Sequence, residues 1–272
     1  MFVRVPKEII RYSISKNKLI LPVYLYSGIR ANQYNNYVVD TNILHIVETF
    51  NPHEDKRKGY NSKYIDTIQT LARGVEGEFS GCIQLKCNQE FKDGNAYAEF
   101  YNKLVDGINK NDRLEYYFLN REINMINKFT IIDSDEYFHL LNSITEINFN
   151  IMNNTDSQVT NSQVTNSQIV ESEFIESQFN KKWNLVDLIN LYVYLKMQIE
   201  FFAMLSKEKG TQIGMKESIE TIANKMGVGT KTISKYINEL VKLNMITLNT
   251  YQSGHKKVVE YILSNSWRAD YE

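Results

Sequence analysis

Residues 221–246 read Thr-Ile-Ala-Asn-Lys-Met-Gly-Val-Gly-Thr-Lys-Thr-Ile-Ser-Lys-Tyr-Ile-Asn-Glu-Leu-Val-Lys-Leu-Asn-Met-Ile. Ser218 is placed to cap a helix over Ile219–Met226, Gly227-Val228-Gly229 breaks it, and Thr230 caps another that runs to Leu243 and ends at Asn244. Ala223 is small enough for the two helices to cross, and Gly227 can adopt the positive φ of a tight turn. Val228, Ile233, Ile237 and Leu240 are spaced to pack the second helix onto the first. That leaves Thr230, Lys231, Thr232, Ser234, Lys235 and Asn238 on or near the outward face, where ammonium and hydroxyl groups suit phosphates and base edges alike.

Outward from this stretch the pattern continues. Upstream, Leu185, Leu188, Ile189, Tyr192, Leu195, Ile199 and Phe202 recur at three and four, which predicts one buried helix face. Downstream, Met245–Tyr251 and Val258–Leu263 are β-branched and aromatic, and the intervening Gln252–Lys257 reads as the turn of a hairpin tipped by His255, Lys256 and Lys257. Helix, helix, turn, helix, hairpin resembles the helix-turn-helix and wing of winged-helix DNA-binding proteins. The resemblance implies that the helix from Thr230 enters the major groove by its amino-terminal half, and that the hairpin tip reaches a backbone or an adjacent minor groove.

The amino-terminal part gives a fainter copy of that order. Pro6 opens a helix, Leu19–Ile29 supplies another, Asp40 is placed to cap Thr41–Phe50, and Asn61 or Ser62 to cap a helix to Leu71. The long turn between the last two carries Lys56-Arg57-Lys58, and Lys63 and Tyr64 follow it; these five residues face DNA if the copy is real. Cys82–Leu85 is a candidate wing strand. Further on, Phe100, Leu104 and Ile108 have helical spacing, Phe129–Ile132 is strand-like, and Ser134 is placed to cap a helix carrying Phe138, Leu141 and Ile144.

A net charge of −1 over 272 residues conceals segregation: residues 1–75 carry +5, 76–180 carry −10 and 181–272 carry +4. Basic ends around an acidic middle fit terminal modules that meet phosphate. Two cysteines and four histidines make neither a disulfide framework nor a metal-ligand spacing, which predicts a cytoplasmic chain with no metal and no cofactor. Asp133, Asp135 and Glu136 are accounted for by the dipole of the helix that they open. The apolar stretch 185–205 is interrupted by Asp187, Asn190, Lys196, Gln198 and Glu200, which argues against a membrane span. With no phosphate loop and no nucleophile beside a partner histidine, no enzyme is expected.

From Ser157 a five-residue unit recurs, with Ser at 157, 162, 167, 172 and 177 and an apolar residue two places later. It loosely resembles a pentapeptide solenoid, but the few units make little more than one coil, so a linker is expected. The predicted fold class is therefore mainly α with small β hairpins (α+β). Its parts are a winged-helix-like domain over 1–90, an acidic, mainly helical middle over 91–152, a repeat linker over 153–180, and a winged-helix domain over 181–272 that folds alone.

The whole resembles plasmid and phage replication initiators of low-GC bacteria, specifically over about 215–265 and in the opening Phe2-Val3-Arg4-Val5-Pro6. That resemblance implies sequence-specific binding of double-stranded DNA at an origin, host replication proteins as partners, and a homodimer as a further possibility. A winged-helix transcriptional regulator is the alternative, and a protein-interaction adaptor a third reading.

Overall fold

The computed structural model describes residues 2–33, 37–51, 61–87, 89–91, 93–119, 129–142, 184–207, 214–254 and 256–264. Helices and small antiparallel sheets build an α+β fold.

The opening strand β1 (Phe2–Pro6) turns Val3 and Val5 inward and pairs with β7 (Phe129–Asp133). Pro6, at φ −60°, then opens α1 (Lys7–Ser15), because its ring holds φ near the helical value. The packed helix α2 (Ile20–Gln33) leads to β2 (Val38–Asn42) and α3 (Ile43–Phe50). The cap of α3 is Asn42, whose side chain accepts the His45 N–H at 2.7 Å, and this corrects the expectation of a helix capped by Asp40. Val39 and Thr41 point inward as alternate residues of a strand, so the helix starts later. Asp40 instead receives two bonds, of 2.9 and 2.6 Å, from Arg113 on β6 (Arg113–Phe118), and this guanidinium holds its carboxyl below the usual range.

After α4 (Asn61–Arg73) come the short pair β3 (Gly74–Val75) and β4 (Phe79–Ser80), then β5 (Ile83–Leu85) and α5 (Gly94–Asp106). The strand β6, which the sequence reading did not anticipate, lies between β2 and β5 in a three-stranded sheet. Residues 91–152 thus contribute strands to the elements before them as well as α5 and α6 (residues 134–142).

The last part contains α7 (Leu185–Lys207), α8 (Ile219–Met226), α9 (Thr230–Lys242), β8 (Ile246–Ser253) and β9 (Lys256–Leu263). Met215 bridges Tyr261 in both directions, at 3.0 and 2.9 Å, so β9 lies between the Met215 segment and β8. The connectivity is therefore repeated. One unit runs α2, β2, α3, α4, β5, β6 and the other α7, Met215, α8, α9, β8, β9, each with its final strand in the middle of its sheet.

From Leu185 to Met197 every residue of α7 is buried, not the single face that the spacing predicted. It is enclosed by α1, α2 and β7 on one side and by α9 and β9 on another. Phe202, expected inside, is 37% exposed. Four polar residues of α7 are engaged: Asp187 with Lys18 at 2.9 Å, Asn190 with Ser13 at 2.8 Å, Lys196 with Glu136 at 2.6 Å, and Glu200 with Thr130. By length and composition α7 is apolar enough to cross a membrane, yet most of that stretch is covered by the rest of the fold, as for a core helix.

Candidate nucleic-acid interface

The turn that presents α9 is built locally. The Ser218 hydroxyl accepts the Thr221 N–H at 3.1 Å and starts α8, and Gly227, at φ +60°, ends it. Val228 N–H returns to the Ala223 carbonyl at 3.1 Å, closing the crossing point. The cap of α9 is Gly229, which has no side chain to occupy the first-turn N–H groups, rather than the expected Thr230; Thr230 is the first helical residue. Lys225 braces the turn from behind through the Tyr194 hydroxyl at 2.9 Å and an ion pair with Glu217, while burial pushes the Tyr194 phenol up to about 12.

Ile233, Tyr236, Ile237 and Leu240 face inward on α9. Thr230, Lys231 and Asn238 are exposed, and Ser234 and Lys235 are half-buried. Lys231, Ser234, Lys235, Asn238 and Lys242 line one shallow outer depression with Glu239. Thr232 is half-buried and does not line it. From Lys231 to Lys242 the stripe spans about 16 Å of helix, so several phosphates fall within its reach. Lys242 was missed by the sequence reading, although it continues the stripe four residues beyond Asn238. Its side chain is 73% exposed and touches the buried Glu239 carboxylate at 3.4 Å. Three lysines against one partly neutralised carboxylate leave the stripe positive.

Beside it stands the hairpin β8–β9, in unbroken register from Ile246↔Leu263 to Ser253↔Lys256, with Gly254 at φ +61° in its tip. Thr247, Leu248, Asn249 and Thr250 are exposed along β8, while opposite them Glu260 and Tyr261 of β9 are buried. The backbones of Lys256 and Lys257 belong to this hairpin, opposite Ser253 and Gln252, whereas His255 lies outside the described residues. Near the tip, the Lys216 ammonium sits 5.2 Å over the Tyr251 ring, a further cation that the sequence reading did not single out.

In the first unit α4 takes the place of α9. Both helices have 13 residues, and inward Tyr64, Thr67, Ile68 and Leu71 match Ile233, Tyr236, Ile237 and Leu240 in order. Tyr64 must therefore be withdrawn from the expected DNA-facing residues. It is 0% exposed, stacks on Phe50 and receives a bond from Asn51 at 2.9 Å. Lys63 is exposed at the start of α4, while Lys56, Arg57 and Lys58 lie outside the described residues, as does the repeat over 153–180. Cys82 is buried and Cys87 half-buried. No protein-family model matches the chain, and neither a curated protein sequence nor a solved structure matches it.

Proposed function

We propose that the chain binds double-stranded DNA as a winged-helix protein, with α9 in the major groove and the β8–β9 hairpin as the wing. The observation that carries this reading is the positive stripe Lys231, Lys235, Asn238 and Lys242, set on the outer side of a helix whose inner side is wholly packed. Its lysines match phosphates flanking the groove, and the Asn238 amide matches the paired donor and acceptor of an adenine edge. The repeated connectivity supports a second winged helix in the first unit, with residues 153–180 as the linker. Together with the resemblance of residues 215–265 to plasmid and phage replication initiators, it favours an initiator that recognises repeated sites at its origin and recruits host replication proteins in the cytoplasm. A catalytic role forms no part of this reading.

Replacing Lys231 and Lys235 together by Ala tests the site. Lys231 is exposed, Lys235 half-buried and neither is among the inward residues of α9, so the melting temperature should change little, while affinity for duplex falls and the slope of log K against log salt drops by about two, one for each lost phosphate contact. Unchanged affinity and slope would refute the assignment. Origin recognition has its own test in the gene. If the pentapeptides translate binding sites, codons 155–180 agree at silent positions and the protein protects them in a footprint. The sites then recur about every 15 bases, roughly one and a half turns of duplex, so alternate repeats share a face. Scrambled synonymous codons without protection favour a transcriptional regulator.

A further inference from the structure

The outward positions of α4 and α9 diverge where their inward positions agree. Counting both helices from their first residues, Ser62 stands at the place of Lys231 and Asp66 at that of Lys235, while Gln69 corresponds to Asn238 and Arg73 to Lys242, so the amide and the cation are kept at the last two positions. On α9 these positions are open: Asn238 is exposed and the Lys242 side chain is 73% exposed. On α4 both are taken by the last turn of α5. The Gln69 amide donates to the Val105 carbonyl at 3.0 Å, and the Arg73 guanidinium donates to the Asn102 carbonyl at 3.2 Å and the Asp106 carboxylate at 2.5 Å.

The position of α5 in the chain gives this contact its meaning. It lies in the excursion between β5 and β6, the place that the tip of the β8–β9 hairpin holds in the other unit. The first unit thus folds its wing segment back onto its own helix. The closure is partial: Val105 is the sole buried residue of α5, Tyr101 and Leu104 pack half-buried against the core, and further bonds run from Gln84 to the Tyr97 hydroxyl and from the Leu85 N–H to the Tyr101 hydroxyl. The Arg73 and Asp106 side chains are 37% and 66% exposed, so their attraction is screened by water and salt and exchanges readily for a stronger anion.

The geometry points to Gln69 and Arg73, at the carboxy-terminal end of the outer face of α4, as a second phosphate-binding surface, covered by α5, with Asp106 holding the place at Arg73 that a DNA phosphate takes when α5 moves aside. Carboxylate and phosphate oxygens offer a guanidinium the same charge-assisted bond. The inference rests on the reading of α9 as a DNA-contacting helix, and its failure is separable from failure of that reading.

The experiment uses the full chain and a duplex containing its site. Asp106→Asn should bind about two- to fivefold more tightly, the worth of one exposed ion pair, and its log K should fall with log salt more steeply by about one. In an Arg73→Ala background the same change should do nothing. Saturating duplex should also speed hydrogen exchange of the α5 amides in the unaltered protein, a readout that needs no variant to fold. A gain that persists without Arg73 is bulk charge and overturns the proposal. So does an Asp106→Asn protein with unaltered affinity, or an α5 equally protected with and without DNA. If Lys231→Ala/Lys235→Ala still loses binding in those cases, the α9 reading stands; if it too binds normally, that reading fails.

Discussion

At Gly227 the backbone takes φ +60°, and nothing lies within 4 Å of where a Cβ would stand. Alanine there costs only the left-handed backbone, about 1–2 kcal/mol. Gly28 is needed for room instead: a Cβ would sit 2.7 and 2.9 Å from the two Val3 methyls and 3.0 Å from the Phe118 ring. Alanine at that point overpacks the contact of α2 with β1, at a cost of about 1–3 kcal/mol. Urea denaturation separates the two causes, since Val3→Ala makes space beside residue 28 and none beside 227. The Gly28→Ala/Val3→Ala double variant should be less destabilised than the sum of its parts, while Gly227→Ala/Val3→Ala should be additive. The role of Gly227 was legible because a Gly-x-Gly break between two helical periods needs a turn. That of Gly28 was not, since the atoms that crowd it come from distant parts of the chain.

The acidic start of α6 has the same lesson one level up. Asp133, Asp135 and Glu136 read as a response to the helix dipole, and Glu136 does reach back to accept the Asp133 N–H at 3.0 Å. Its larger role is across the fold, where both carboxylate oxygens meet the Lys196 ammonium at 2.6 Å and one also accepts the Tyr192 hydroxyl at 2.8 Å. The side chains of Lys196 and Glu136 are only 10% and 7% exposed, so neither charge has water to fall back on. Lys196→Met should lose about 3–5 kcal/mol in a denaturation curve, and adding Glu136→Leu should recover much of it, because an apolar pair avoids the stranded carboxylate. In the sequence Lys196 was only an interruption of an apolar run; its partner is set by tertiary packing, which local periodicity does not encode. The face of α9 was legible for the converse reason, that Ile233, Ile237 and Leu240 set an aliphatic stripe at helical spacing. On α4 the inward stripe is Tyr64, Thr67, Ile68 and Leu71, and the hydroxyl of Tyr64, beside Lys63, let that residue be read as DNA-facing.

Over the whole molecule, burial has gathered phenols into the interior. Tyr24, Tyr116, Tyr137 and Tyr192 are 0–2% exposed, and desolvation raises the pKa of each well above its ordinary value. The fold favours their neutral form, so the stability they contribute is whole below the unfolded phenol pKa of about 10 and is lost as pH rises above it, where the unfolded chain releases protons that the folded one keeps. In an alkaline titration the phenolate absorbance of these residues should rise together with the loss of far-ultraviolet circular dichroism. Full phenolate absorbance in a chain that keeps its native spectrum would contradict this burial. At this scale the repeated order of helices and the final hairpin were readable from capping and turn residues. The central strand β6 and the packing of one unit on the other were not, because a middle strand is recognised by its neighbours on both edges and not by its own six residues.

The enclosure of α7 has a consequence for how this chain can be divided. Its neighbours in the first part, Ser13, Lys18, Thr130 and Glu136, are held without covalent links, while at its other side the Asn184 N–H donates to the Tyr236 hydroxyl of α9 at 3.2 Å. A cut between residues 143 and 183 severs the backbone but leaves every one of these contacts in place. Residues 181–272, expected from the sequence to fold alone, carry on α7 a face that α1, α2 and β7 cover, so the two pieces should fold only when expressed together, and a stably folded 181–272 by itself would contradict this packing.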